Sequence, residues 1–240
     1  MKFALIGHPI AGSLSPALFS AAYDGRYPYD LLDFETFDEA WKAFLAHYKG
    51  INVTAPYKQD AYTSVDWLSE GARESGAVNL VVKRADGLCG YNTDVDGIVA
   101  AVRETGLPVA DALVVGTGGA ARAAIVAARR LGCRVTVAGR SADKVEALSQ
   151  AFGCRGILLS EAGSYRPDLI LYTLPGTAPA PALAYEGAVV LEAEYKHPAL
   201  SAQPCRAYIS GKRWLLHQAA AGYALFTGEA PSFEKMQEVL

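Results

Sequence analysis

The sequence predicts an α/β fold made of two successive units, and three observations carry that prediction. Short β-branched or apolar runs alternate with stretches of helical period along the whole chain, the pattern of sheets covered by helices. The alternation is broken at Gly106-Leu107-Pro108, a boundary candidate, and restarts with a strand, a glycine-rich turn and a helix. At 240 residues, 51% of them apolar, the chain suffices for one large domain or two small ones.

Phe3–Ile6 reads as the first strand, and Pro16–Tyr23 as a helix with Ser15 as N-cap and Pro16 at its first position. Tyr29–Phe34 is the next strand. From Asp38, the residues Ala40, Trp41, Phe44, Leu45 and Tyr48 form an amphipathic helical stripe, and Ile51–Thr54 returns as a strand. After a helix from Tyr57 to Trp67, Ala77–Lys83 and Leu88–Tyr91 form a hairpin across Ala85-Asp86-Gly87, because Asp-Gly suits a tight turn. A helix from Asp94 to Thr105 follows. The second unit runs as strand Leu113–Val115, helix Ala120–Leu131, strand Arg134–Val137, helix Ala142–Phe152, and strands near Leu169–Tyr172 and Val189–Leu191. Thr173–Tyr185, rich in Pro and Ala, reads as a loop, and Trp214–Leu225 as a helix that returns to the first unit.

Composition narrows the function. With 22 Lys and Arg against 25 Asp and Glu the net charge is −3, which leaves no basic field for a dedicated nucleic-acid binder. The apolar stretches Gly187–Leu191 and Trp214–Leu216 fall far short of the ~18 residues of a membrane-spanning helix. His8 and Pro9 stop the run after Lys2 too early for a signal peptide, so a cytoplasmic protein without membrane partners is expected. Cys89, Cys133, Cys154 and Cys205 are widely spread, and no His stands at ligand spacing from them. Reduced thiols and no metal site are therefore expected. His197 and His217 read as packed or solvated.

The strand Leu113–Val115 runs into Gly116-Thr117-Gly118-Gly119-Ala120-Ala121, which fits G-x-G-x-x-G/A with Ala in the last place. Small residues here let the backbone turn sharply and bring a pyrophosphate against the amides of a helix N-terminus. An NAD-binding unit places a carboxylate at the end of its second strand to hold the ribose. This chain has Gly139-Arg140-Ser141 there, with Lys144 one turn on, so the pattern favours a 2′-phosphate and NADP over NAD.

The first unit collects Ser13, Ser15, Asn52, Thr54, Lys58, Asn79 and Asn92-Thr93-Asp94 at strand ends and loops, where α/β sheets bind ligands. Amides and hydroxyls suit a small polyol. Lys58 and Asp94 form a candidate pair that could hold one hydroxyl and move its proton as a hydride is transferred. The alternative is a surface lysine and a helix N-terminal carboxylate.

Ser-x-Ser-Pro at Ser13–Pro16, Asn-Val-Thr-x-Pro-x-Lys at Asn52–Lys58, Gly-Ala-Val-Asn at Gly76–Asn79 and Gly-Tyr-Asn-Thr-Asp at Gly90–Asp94 resemble the shikimate dehydrogenase family. The order continues with Gly-x-Gly-Gly-Ala-Ala-Arg-Ala at Gly116–Ala123 and Gln-Ala-Ala at Gln218–Ala220. The resemblance implies NADP(H)-dependent interconversion of 3-dehydroshikimate and shikimate, on the route to chorismate and the aromatic amino acids. It implies that Ser13 and Ser15, with Tyr195, bind the substrate carboxylate. Thr54, Asn79 and Gln218 would meet ring hydroxyls, with Asn52 in the same substrate site, and Lys58 would be the general acid/base beside Asp94. The turn residues Gly116, Gly118, Gly119, Ala120 and Ala121, with Arg140, Ser141 and Lys144, would hold the cofactor. It also implies a substrate-binding domain of residues 1–97 with 214–240 and a Rossmann-type NADP-binding domain of 98–213, facing each other across a cleft, as a monomer or homodimer. The chain departs from the family pattern at Gly12, Leu80 and Gly139, and most of all at Gly211-Lys212-Arg213-Trp214, where a Gly-x-Gly-Met stretch is usual. Two alternatives stand beside this reading: a related cyclohexene acid such as quinate as substrate, or a non-catalytic sensor that binds NADP or shikimate.

Overall fold

A computed structural model describes residues 1–176 and 180–240. The chain divides into two compact units, Met1–Thr93 with Leu216–Leu240, and Asp94–Leu215. Both passages fall inside helices, so no loop-forming composition marks them. Gly106-Leu107-Pro108 does follow the end of a helix, but inside the second unit. The expected limits at 97/98 and 213/214 lie four and two residues from these passages, and Asp94 opens the second unit.

In the first unit, β1 (Phe3–Gly7), α1 (Ser15–Ala22), β2 (Tyr29–Asp33), α2 (Phe37–His47) and β3 (Gly50–Val53) follow as expected. β1 lies between β2 and β3 and pairs with both in parallel. Ser15 is not the N-cap of α1. The helix begins on it, Leu14 holds the cap position without a side-chain bond, and the Ser13 hydroxyl accepts the Ser15 N–H at 3.3 Å. In α2 the predicted stripe buries Ala40 and Phe44, and Tyr48 just beyond it, but leaves Leu45 exposed.

The helix expected from Tyr57 to Trp67 shrinks to α3 (Lys58–Thr63). Thr63 and Ser64 both donate hydroxyl bonds back to the Asp60 carbonyl, which competes with continuation of the helix. Asp66 exchanges bonds with Leu88, and Trp67–Leu68 becomes a short strand, β4. A helix that sequence reading missed, α4 (Glu70–Ser75), is made by its ends: the Ser69 hydroxyl caps the Ala72 N–H and Gly76 closes it. The hairpin of β5 (Leu80–Arg84) and β6 (Gly87–Tyr91) pairs antiparallel, completing the sheet order β2-β1-β3-β5-β6-β4.

α5 (Thr93–Arg103) leads into the second unit: β7 (Asp111–Val115), α6 (Gly119–Arg130), β8 (Arg134–Gly139), α7 (Ala142–Phe152), β9 (Arg155–Leu158), a 3-10 turn at Leu159–Ser164, β10 (Leu169–Tyr172), β11 (Val189–Glu192) and β12 (Ala207–Ile209). The strands β9 and β12 lie outside the sequence-based expectation: β9 opens on Arg155-Gly156 and β12 has three residues, so neither holds a continuous apolar run of strand length. All six strands are parallel, in the order β12-β11-β10-β7-β8-β9, the doubly wound arrangement whose order reverses between β7 and β10. β7, β10 and β11 are buried on both faces, as central parallel strands must be. The predicted loop Thr173–Tyr185 holds neither helix nor strand where it is described, and its residues 177–179 lie outside the described residues. α8 (Gly211–Thr227) carries the chain back to the first unit, where α9 (Phe233–Glu238), also unforeseen, ends it. Among the described residues no helix is long and apolar enough to cross a membrane.

Candidate active site

The Ser13 and Ser15 hydroxyls of the first unit lie 3.2 Å apart at the start of α1, and the buried Tyr223 of α8 fastens this turn by donating to the Ser15 carbonyl at 3.2 Å. From β3, Asn52 donates to the Asn79 carbonyl at 3.4 Å while its own oxygen accepts the Tyr29 hydroxyl at 2.7 Å. Asn79 is the centre of a second knot. Its oxygen accepts the Thr93 N–H at 2.8 Å, and its amide nitrogen donates to Thr93 Oγ1 at 3.1 Å and to Gln218 Oε1 at 3.3 Å. The same Gln218 oxygen accepts the Thr93 hydroxyl at 3.3 Å. Asn52, Asn79 and Thr93 are each at most 6% exposed, so the network is preorganised against the cost of leaving a buried amide unpaired.

Thr54 and Lys58 sit on the turn that follows β3. Tyr57, buried, donates to the Phe34 carbonyl at 2.7 Å and pins this turn, while the Lys58 carbonyl accepts the Val78 N–H at 2.9 Å next to Asn79. Lys58 opens α3 and is half-buried. Asn92 donates to the Ser75 hydroxyl and the Ala77 carbonyl at 2.8 and 3.0 Å, beside the end of α4. Tyr29 and Thr93 are members of the network that sequence reading did not single out by role. Thr93 stood within a quoted motif, whereas Tyr29 gave no signal beyond being the first residue of a strand.

Asp94 and Tyr195 belong to the second unit. Asp94 is buried in the first turn of α5. Tyr195 follows β11, after two carboxylates that hold the residues beyond it. Buried Glu192 accepts the N–H groups of Ala199 and Leu200 and the Tyr208 hydroxyl at 2.7, 3.1 and 2.8 Å. Glu194 accepts the N–H groups of Lys196 and His197 at 2.7 and 3.3 Å. Burial pushes the Glu194 carboxyl up, but its backbone donors outweigh that and hold it below the ordinary glutamate value.

The glycine-rich turn lies at the point where the strand order reverses. Gly116 has φ +127°, and a Cβ there would run into Thr173 Oγ1, itself held by a 2.8 Å bond to the Val115 carbonyl. Gly118 is open and exposed, and fully buried Ala121 lets α6 close on the sheet. The twelve-residue α6 has no side-chain cap and no acidic residue in its first turn, so Gly119, Ala120 and Ala121 bring uncompensated amides to the turn. Arg140 and Lys144 are exposed at the end of β8 and the start of α7, and the Ser141 hydroxyl caps the Lys144 N–H at 3.5 Å. With no carboxylate at that strand end, these residues fit a phosphorylated dinucleotide.

The departures at positions 139, 213 and 214 are accommodated by local packing and pairing, although the Trp214 Nε1 is buried without a hydrogen-bond partner among the described residues. Trp214 is buried in the cluster that also holds Val95, Ile98 and Leu191, and Arg213 makes a bidentate pair with Glu104, both bonds 2.6 Å. At Gly139 a Cβ would come within 2.8 Å of Val145 and 2.9 Å of the Thr117 methyl. The Thr117 methyl thus occupies the space that a side chain at 139 would need.

A doubly wound unit with this turn, joined in one chain to a unit carrying an amide–hydroxyl network for a polar ligand, defines the class: a nucleotide-dependent oxidoreductase. A sequence pattern described as the shikimate dehydrogenase substrate binding domain matches residues 5–81. A shikimate dehydrogenase (NADP+) from Thermus thermophilus is 34% identical over 99% of this chain and 97% of its own length. The crystal structure of shikimate 5-dehydrogenase from another strain of that organism, in complex with NADP(H) and shikimate, has a TM-score of 0.84 at 30% identity, covering 100% of this chain and 98% of that one. Quinate dehydrogenase from Corynebacterium glutamicum in complex with NAD has a TM-score of 0.85 at 26% identity, covering 100% and 98%. The chain belongs to the shikimate dehydrogenase family.

Proposed function

We propose that this protein catalyses the reversible, NADP(H)-dependent reduction of 3-dehydroshikimate to shikimate, the step that supplies shikimate on the route to chorismate. The observation that carries this reading is the knot of buried Asn79 and Thr93 with half-buried Gln218, which joins side chains up to 139 positions apart into one preordered set of amide and hydroxyl groups. Such a set suits vicinal ring hydroxyls.

In this reading Ser13 and Ser15, with Tyr195, bind the substrate carboxylate through neutral donors, and Asn52, Thr54, Asn79 and Gln218 orient the ring. Lys58 is the general acid in reduction and the general base in oxidation: it protonates the oxygen that gains charge at the reacting carbon, and Asp94 supports its charged form. Gly116, Gly118, Gly119, Ala120 and Ala121 cradle the pyrophosphate, while Arg140 and Lys144 grip the 2′-phosphate and Ser141 holds the strand end in place. When bound, NADPH supplies the hydride.

The test follows nicotinamide absorbance with shikimate and then quinate, each with NADP+ and NAD+, in the wild type and in Lys58→Ala. Fast reduction of NADP+ by shikimate, lowered about 10²–10⁴-fold in the variant, is the expected result. Shikimate binding without turnover in the wild type would overturn it in favour of a sensor, and preference for quinate would move the substrate.

A further inference from the structure

We infer that Tyr29 is a positioning residue of the substrate site, acting through Asn52: its phenol fixes which way round the Asn52 amide faces, and so makes Asn52 an N–H donor toward a ring hydroxyl. This rests on the substrate reading above and deepens it.

The two ends of the Asn52 amide are in bonding contact with different partners. Its oxygen accepts the Tyr29 hydroxyl at 2.7 Å, and its nitrogen donates to the Asn79 main-chain carbonyl at 3.4 Å. Reversing the amide would set its oxygen against that carbonyl oxygen, two acceptors with no proton between them. The long Asn79 contact alone is a weak lock, so the short phenol bond decides the orientation.

The phenol itself cannot swing away. Its ring packs on Phe19 at 4.8 Å between centroids and lies 6.2 Å from Tyr223, and both of those rings are almost fully buried. Through Phe19 the Tyr29 ring is held against α1, the helix that begins at Ser15, while its hydroxyl reaches Asn52. Asn79, by contrast, is oriented by Thr93 and Gln218, which leaves Asn52 as the amide dependent on Tyr29.

The test is a double-mutant cycle in steady-state kinetics on the whole protein: Tyr29→Phe, Asn52→Ala and both together, with Tyr27→Phe as a control. Tyr27 is a phenol of the same segment that bonds Glu229 at 2.9 Å and takes no part in the network. Tyr29→Phe should raise KM for shikimate about fivefold or more, the effect of one ordered hydrogen bond, and leave kcat and KM for NADP+ within about twofold. The double variant should be no worse than Asn52→Ala alone, because the phenol acts only through the amide. Tyr27→Phe should leave KM for shikimate unchanged. Additive effects in the double variant, or a Tyr29→Phe variant whose KM for shikimate matches the wild type, would overturn the inference while the functional reading stands. A wild type that does not oxidise shikimate would remove the reading and this inference with it.

Discussion

The two units meet their ligands with different materials. Among the described residues, buried polar side chains concentrate in the first unit, at Ser15, Asn52, Ser75, Asn79, Asn92 and Thr93, while the second holds Asp94, Thr136 and Glu192. The first unit has a mixed sheet, and its candidate substrate groups are side chains, of which Asn52 and Asn79 are oriented by other side chains. The second has an all-parallel sheet, and its candidate site is mostly main chain: a turn that tolerates no Cβ at Gly116, an open Gly118 and the uncapped start of α6. A side-chain site is altered by removing atoms, and a main-chain site by adding them. That difference predicts how each unit should fail.

The largest effect is expected from adding one methyl to the second unit. In Gly116→Ala the new Cβ meets Thr173, whose hydroxyl is committed to the Val115 carbonyl, and the positive φ is itself strained for alanine. A loss of about 2–4 kcal/mol and a Tm fall of about 4–16 °C should accompany loss of NADP+ binding, read by thermal unfolding and titration. A variant with wild-type affinity would break the comparison.

Next comes removal of atoms from the first unit. Asn79→Ala strands the buried Thr93 N–H at a cost of about 1–3 kcal/mol, and should raise KM for shikimate far more than KM for NADP+. Steady-state kinetics with each substrate varied in turn would separate the two.

Arg140→Asp tests the one place where the second unit is expected to use side chains. It should raise KM for NADP+ about tenfold to a hundredfold, the weight of a charge-assisted bond, with little change for NAD+. Because Arg140 is exposed, Tm should not move. Equal effects on both cofactors would remove the 2′-phosphate assignment.

The smallest effect is a pH dependence in the Tyr195 segment. The folded-state pKa of Glu194 lies below its ordinary value of 4.5, so its contribution to stability is fully present above that value and is lost as pH falls through the depressed folded pKa. Glu194→Gln should therefore lower Tm slightly at neutral pH, with the gap from the wild type closing in acid. A gap that persists in acid would mean that packing, not charge, holds the segment.

What was legible along the chain was whatever local periodicity encodes. Strand β1, helix α2, the β5–β6 hairpin and the β7-turn-α6-β8 run could be read because alternation, the 3.6-residue stripe and Asp-Gly or Gly-x-Gly are local signals. α4 and β4 were not, since six and two residues carry no period, and one exists by its caps and the other by pairing with β6. The misreading of Ser15 as N-cap has the same origin: which serine bonds which amide depends on a one-residue shift in where the helix starts.

The sequence by itself determined the α/β class, the nucleotide turn, the missing carboxylate at the end of β8 and the set of amides, hydroxyls and Lys58 that place the chain in its family. Those are statements about residue types at fixed spacing, and spacing survives in one dimension. Only the tertiary structure decided that Thr93 and Gln218 lock Asn79, that Tyr29 locks Asn52, and that Trp214 packs into a core while Arg213 turns to Glu104. Those bonds join positions tens to more than a hundred residues apart. Such pairings are selected by the geometry of the packed sheets and helices, which no local window of the chain contains.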